Sequence, residues 1–239
     1  MMEPKIKICG LHPEDDFSFT DNERVAYSGF VFVPHSKRFV TPQQIKPVIQ
    51  KINNRCQTMA VVAGMNLADI HEILSLSGIT GVQLHGEEPP TWCDELRHNG
   101  YTVWKAIQVP TATEFRHRDL MQTKVMREVS LYIHHVDGIL LDASSPVRAP
   151  HGVTGGFGKP FAWDIIPTVG SLLQAMVAPP HLWVAGGIHS GNVADLLSVW
   201  KPDGLDVSSG VEENGRKSIA KILELIEAVE EYAGHTNIS

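Results

Sequence analysis

Two hydrophobic patterns take turns along this chain. Short apolar runs rich in β-branched residues recur, each followed by a longer segment with apolar positions at helical spacing, the signature of consecutive βα units. The runs predict eight strands, at Lys5–Cys9, Gly29–Val33, Thr58–Val62, Gly81–His85, Val103–Gln108, Gly138–Asp142, Leu182–Ala185 and Gly204–Val207. They follow one another at roughly 30 residues, the length of a βαβ unit.

Helices fit between them. Thr41-Pro42 reads as an N-cap with proline in the first helical position and predicts a helix over Gln43–Asn53. Asn66-Leu67-Ala68-Asp69 opens a helix over Ile70–Ser77, and Ser190-Gly191-Asn192 precedes one over Val193–Trp200. Gly215–Tyr232 carries Ile219, Ile222, Leu223, Ile226 and Val229 as a helix-period stripe. Two regions fit less well. A first helix is expected within His12–Tyr27, although Asp15, Asp16, Ser18, Thr20, Asp21 and Asn22 dilute any apolar face. Residues Ala143–Lys159 are rich in Gly, Pro and Ser and too long for an ordinary βα turn, which predicts a mobile active-site loop. No linker or low-complexity tract splits the chain. The expectation is one α/β domain over residues 1–239, a (β/α)8 TIM barrel with parallel strands.

Length and composition agree. The 239 residues fall within the range of single α/β barrels, and 43% apolar with 20% charged residues suffices for a large core. A net charge of -7 argues against a nucleic-acid or membrane partner, so any bound anion must be held locally. Cys9, Cys56 and Cys93 are odd in number and far apart, which suggests neither a disulfide framework nor zinc and fits a reducing cytoplasm. No stretch approaches the ~20 apolar residues of a membrane span, and the N-terminus lacks an apolar export signal.

In such barrels chemistry sits at the C-terminal ends of strands. Here those ends carry Cys9, the Ser36-Lys37-Arg38 turn, His85, Asp142 and Asp206. A carboxylate directly after Gly138-Ile139-Leu140-Leu141 is costly unless it faces the barrel mouth, which favours Asp142 as a functional group. Cys9 read by itself equals a small buried strand residue, Arg38 a solvated loop arginine, and His85 a hydrogen-bonded structural histidine as readily as a substrate contact. Asp206 is expected to accept backbone hydrogen bonds and order the loop after strand eight. Gly186-Gly187 and Ser208-Ser209-Gly210 follow adjacent strands, and two such turns side by side outline a phosphate pocket in which backbone N–H groups approach the anion. His71-Glu72 lacks the second histidine of H-E-x-x-H, and His134-His135 diverge as neighbours, so neither signals metal.

Taken together, Lys7-Ile8-Cys9-Gly10, Gly29-Phe30-Val31-Phe32, Ser36-Lys37-Arg38, Val82-Gln83-Leu84-His85-Gly86, Leu140-Leu141-Asp142, Ala185-Gly186-Gly187 and Asp206-Val207-Ser208-Ser209-Gly210-Val211-Glu212 resemble the phosphoribosylanthranilate isomerases, in order and from Lys7 to about Ile226. The resemblance implies an isomerase of tryptophan biosynthesis that needs neither cofactor nor metal. It would perform the Amadori rearrangement of a small phosphosugar, N-(5-phosphoribosyl)anthranilate; separately from the resemblance, a monomer is expected. By the same resemblance Asp142 is the acid, Cys9 the base and Arg38 the contact to the anthranilate carboxylate. His85 and Asp206 would touch substrate; Gly186, Gly187, Ser208, Ser209 and Gly210 would hold phosphate; Trp163 matches a family aromatic. These roles require Asp142 to titrate above its reference value of about 3.9 and Cys9 below about 8.5. Lys7 lies two residues from Cys9 on the same strand face and is a candidate for help.

Three departures bear on the pattern: the polar first helix, Ala63-Gly64-Met65-Asn66 at the end of strand three, and the extended loop over Ser144 to Thr154. Two rivals are a metal-dependent pentose-phosphate epimerase using His85, Asp142 and Asp206 as ligands, and a non-catalytic phosphate-ligand barrel. The histidine-pathway isomerase would place aspartate where Cys9 stands.

Overall fold

The structure, a computed structural model, describes residues 3–110, 118–143 and 161–236. Eight parallel strands close in sequence order into one barrel: β1 (Lys5–Cys9), β2 (Val25–Val31), β3 (Gln57–Val62), β4 (Gly81–Leu84), β5 (Thr102–Val109), β6 (Gly138–Ala143), β7 (His181–Val184) and β8 (Gly204–Val207). The α-helices that follow strands two to eight are α1 (Pro42–Ile45), α2 (Leu67–Ser77), α3 (Pro90–His98), α4 (Arg118–Tyr132), α5 (Ile166–Gln174), α6 (Val193–Val199) and α7 (Ile219–Thr236). No helix among the described residues is long and apolar enough to cross a membrane.

Because side chains alternate along a strand, each strand sends every second residue into the barrel. The outward set, including Ile6, Ile8, Phe30, Val82, Leu84, Ile139, Leu141 and Val184, forms the main core beneath the helices. The inward set fills the barrel in layers. Towards the N-terminal ends of the strands, Tyr27, Met59, Trp104 and Trp183 pack together, with Trp104 and Trp183 centroids 4.4 Å apart and the Tyr27 ring 4.7 Å from Trp104. Such bulk needs empty neighbours. A Cβ on Gly138 would lie 2.7 Å from Trp104, and one on Gly204 would overlap the Trp183 ring. The glycines that open β6 and β8 are therefore sockets for the two indoles.

Three expectations are corrected. No α-helix forms within His12–Tyr27; the segment holds a 3-10 turn at Ser18–Asp21, and Tyr27 already belongs to β2. The cause is the side chains that dilute the pattern, since Asp15 accepts the His12 N–H at 2.8 Å and Asp16 that of Ser18 at 2.8 Å, local bonds that compete with helix. The second strand accordingly runs four residues earlier at its start than the apolar run suggested. The expected helix over Gln43–Asn53 stops at Ile45 and resumes as a 3-10 turn at Ile49–Lys51, because Pro47 has no N–H to continue the ladder. Its start is as expected, with Thr41 and Gln44 forming a capping box. Asn66 likewise caps α2, accepting the Asp69 N–H at 2.9 Å. Ala143 closes β6, and the rest of the expected loop, 144–159, lies outside the described residues.

The aromatic floor yields a prediction. Gly204→Ala drives a methyl group into Trp183 and should lower stability by about 1–3 kcal/mol in urea unfolding. Val177→Ala, at a fully exposed position, should stay within ~0.5 kcal/mol of the parent.

Candidate active site

Above the aromatic floor the barrel interior turns polar. Lys7, fully buried on β1, donates from Nζ to Asp206 Oδ2 on β8 at 2.8 Å and to Gln83 Oε1 on β4 at 2.9 Å. Its ammonium also stands 5.9 Å from the Trp104 ring. Burial works against this charge, but the Asp206 carboxylate and the nearby Cys9 outweigh it and raise the Lys7 pKa. Cys9 and Lys7 lean together over β2 at Gly29, where a Cβ would meet Cys9 Sγ and Lys7 Cε at 3.0 Å each. Burial pushes the Cys9 thiol up, with Lys7 pulling it down, Asp206 pushing up and Lys217 pulling down, and burial wins. The lowered Cys9 pKa expected above is thus absent from the resting site. Lys7 does act in the anticipated direction, but its charge is largely spent on Asp206.

Asp206 itself departs from expectation. Instead of accepting backbone hydrogen bonds it serves as the counter-ion of Lys7 through Oδ2, while its buried Oδ1 has no partner among the described residues. It lies one layer below the mouth.

At the mouth, His85 follows β4 and faces Asp142 of β6, with Nε2 3.3 Å from Oδ2. Gln83 Nε2 approaches His85 Nδ1 at 3.0 Å and Gln108 Nε2 approaches His85 Nε2 at 2.8 Å. Asp142 is only 7% exposed, so a carboxyl group stands at the mouth with its back in the barrel wall. Lys7, Gln83, His85 and Asp142 therefore form one connected polar chain across the barrel, beginning beside Cys9.

Arg38 is no solvated loop residue. It is 9% exposed and lies across the end of β1, and Gly10 has no side chain because a Cβ there would collide with Arg38 Cδ. Its Nε donates to Glu212 Oε1 at 2.7 Å, and its Nη2 is buried without a partner among the described residues. Glu212 is held from the other side by Lys217, whose Nζ reaches Oε1 at 2.9 Å and the Ser208 carbonyl at 3.0 Å. A small hairpin delivers this lysine: β9 (Glu212–Glu213) pairs with β10 (Arg216–Lys217) across Asn214-Gly215, both at positive φ. Arg38 and Lys217 together hold the Glu212 carboxyl down, at about 2 against an ordinary 4.5, although burial opposes them.

The two small-residue turns meet as expected. Gly186 and Gly187 both have positive φ, and Gly210 abuts the Ile188 carbonyl so closely that no Cβ fits between the turns. Ser208 Oγ donates to the Cys9 carbonyl at 2.9 Å, tying β8 to β1, and Ser209–Val211 forms a short 3-10 turn. Asn192 braces the first turn by donating to the Gly187 carbonyl at 2.9 Å. Phe161 is buried and Trp163 partly so, packed on the main core.

The structure thus brings Cys9, Arg38, His85, Asp142, Ser208, Ser209, Gly210, Gly186 and Gly187 to one end of the barrel. Gln83, Gln108, Glu212 and Lys217 were missed. Gln83 was open to recognition, since it shares a strand face with His85, and Asn214-Gly215 flanked by charged pairs is a strong hairpin signal. Among the described residues no group of three or more His, Cys, Asp and Glu could hold a metal ion, and the Asp206 of the epimerase reading is bound to Lys7 instead.

Comparison with known proteins fits this arrangement. The family model described as N-(5'phosphoribosyl)anthranilate (PRA) isomerase matches residues 6–228. The N-(5'-phosphoribosyl)anthranilate isomerase of Rippkaea orientalis is 32% identical over 233 residues, covering 96% of this chain and 97% of its own. A structure of monomers of the dimeric phosphoribosylanthranilate isomerase from Thermotoga maritima superposes with a TM-score of 0.75 at 27% identity, covering 95% of this chain and 99% of that one. A phosphoribosyl anthranilate isomerase in complex with reduced 1-(o-carboxyphenylamino)-1-deoxyribulose 5-phosphate does so with 0.74 at 25% identity, with the same coverage of 95% and 99%.

The Glu212 clamp has a pH signature. A carboxyl depressed from 4.5 to about 2 contributes stability that is fully present above pH ~4.5 and lost as pH falls towards 2. Urea unfolding across this window should show Glu212→Gln less stable than the parent near neutrality, with the difference shrinking to nothing near pH 2.

Proposed function

The chain belongs to the N-(5'-phosphoribosyl)anthranilate isomerase family, and from that premise we propose that Cys9 and Asp142 are the base and acid with which it works. The reaction is the Amadori rearrangement of N-(5'-phosphoribosyl)anthranilate to 1-(2-carboxyphenylamino)-1-deoxyribulose 5-phosphate, a step of tryptophan biosynthesis. The observation that carries the assignment is the pairing of two inward-facing, nearly buried proton carriers at the same mouth, Cys9 at 8% and Asp142 at 7% exposure.

The chemistry needs one proton given and one taken. Asp142 protonates the ribose ring oxygen as the C1–O bond breaks and the nitrogen lone pair forms an iminium at C1. Cys9, as thiolate, then takes the C2 proton; the electron pair moves into the C1–C2 bond and neutralises the iminium. The enolamine collapses to the ketone as its C2 hydroxyl loses a proton and C1 gains one. Arg38 supports binding of the substrate carboxylate, since its bond from Nε to Glu212 holds the guanidinium fork at the mouth. The glycine turns at 186–187 and 208–210 suit the phosphate, with His85 beside the sugar. Asp206 belongs to the reading through Lys7, which favours the Cys9 thiolate more than Lys217 does.

Every group invoked comes from one chain, so a monomer is expected to be active. Dependence on a thiolate, together with three unpaired cysteines, suits a reducing compartment such as the cytoplasm. The whole chain is read as one barrel domain.

Turnover of freshly generated phosphoribosylanthranilate, followed by loss of its fluorescence, tests the assignment. Cys9→Ala and Asp142→Asn should each lose about 10²–10⁴-fold in kcat while still binding product; full activity in both would sink it.

A further inference from the structure

The polar chain from Lys7 to Asp142 has a direction. Lys7 can only donate, so the Gln83 atom it touches at 2.9 Å must be the carbonyl oxygen. That orientation is decided inside the barrel, where Lys7 is fully buried and Gln83 1% exposed. It leaves the Gln83 NH2 group facing His85 Nδ1 at 3.0 Å. An amide NH2 cannot accept, so Nδ1 must present its lone pair. A proton on Nδ1 would point at another N–H, which excludes both the Nδ1–H tautomer and the imidazolium. The ring proton is therefore on Nε2.

The other side of the ring agrees. Nε2 lies 3.3 Å from Asp142 Oδ2 and 2.8 Å from the Gln108 amide, whose Oε1 is otherwise buried without a partner. Turning that amide, an assignment open at any Gln, gives the orphaned oxygen the Nε2–H it lacks.

We infer that Gln83, oriented by Lys7, locks His85 as the Nε2–H tautomer, so that the ring turns a donor, taken up by Gln108, towards the edge where Asp142 Oδ2 stands 3.3 Å away. That donor is in place beside the carboxylate that Asp142 becomes when its proton has left. Gln83 and Lys7 are positioning residues here, acting through His85, and the inference rests on the reading of Asp142 as the acid.

Nitrogen NMR of the full chain labelled with 15N-histidine tests it directly, with the His85 signals identified by their loss in His85→Asn. The parent should show an unprotonated Nδ1 and a protonated Nε2 at neutral pH. Gln83→Glu places an acceptor against Nδ1 and should move the proton there. Gln83→Met should leave the tautomers mixed. Both should lower kcat, by about tenfold or more, with KM within about twofold, a split expected when the acid loses a neighbouring donor but binding is intact. A parent protonated at Nδ1 would overturn the inference even if neither variant folded. So would an unchanged tautomer in both variants, or a moved proton at unchanged kcat. Full turnover in Asp142→Asn with the expected parent tautomer would instead overturn the acid reading.

Discussion

An ammonium group in the middle of a β-barrel has to be neutralised where it stands. Lys7 is in that position, with no solvent in reach and Asp206 at 2.8 Å as its counter-ion. Removing one partner of a buried pair typically costs about 3–5 kcal/mol, because the other is left charged and dry. The pair joins β1 to β8, the two strands that close the barrel, so the charge also sits on the seam. Its further N–H groups are what make it more than a staple: one orients Gln83 and another faces Cys9. The interior of the barrel and the chemistry of its mouth thus hang on one amine.

A second set of charges organises the rim. Arg38 comes from the turn after β2 and Glu212 and Lys217 from one hairpin after β8, and each is exposed by a tenth or less. Glu212 accepts from both cations through the same oxygen, Oε1, which leaves the arginine fork positioned but not saturated. An acidic protein can hold an anionic substrate on these terms. Its net charge is -7, but Arg38 and Lys217 stand nearly dry at the mouth, where a local cation counts for more than a distant surplus of carboxylates.

Much of this was legible in the chain. Strand positions followed from apolar runs because β-branched residues packed beneath helices leave continuous patterns, and β1 and β8 fall where the runs do. The second strand was misplaced because Tyr27, which faces an aromatic cluster rather than the main core, sits among polar neighbours that read as loop or helix. The helix after Thr41 was overextended because its periodicity outweighed a single proline. At the site, the end-of-strand rule located Cys9, His85 and Asp142, but it is blind to pairing. Nothing local says that Lys7 will meet Asp206, 199 positions away, rather than Cys9 alone, or that Glu212 will strap Arg38 from a distance of 174 positions. Such partners are set by barrel closure, which sequence spacing does not encode.

The indole pair at the bottom of the barrel has a consequence for traffic rather than for packing. Trp104 and Trp183, at 1% and 4% exposure and filling the sockets left by Gly138 and Gly204, stop the N-terminal end of the barrel like a cork. Solvent and hydrogen ions can then reach Lys7, Gln83 and Asp206 only by way of the mouth. A substrate seated at that mouth covers the remaining approach, so the part of the barrel that touches no substrate helps keep water from the reaction.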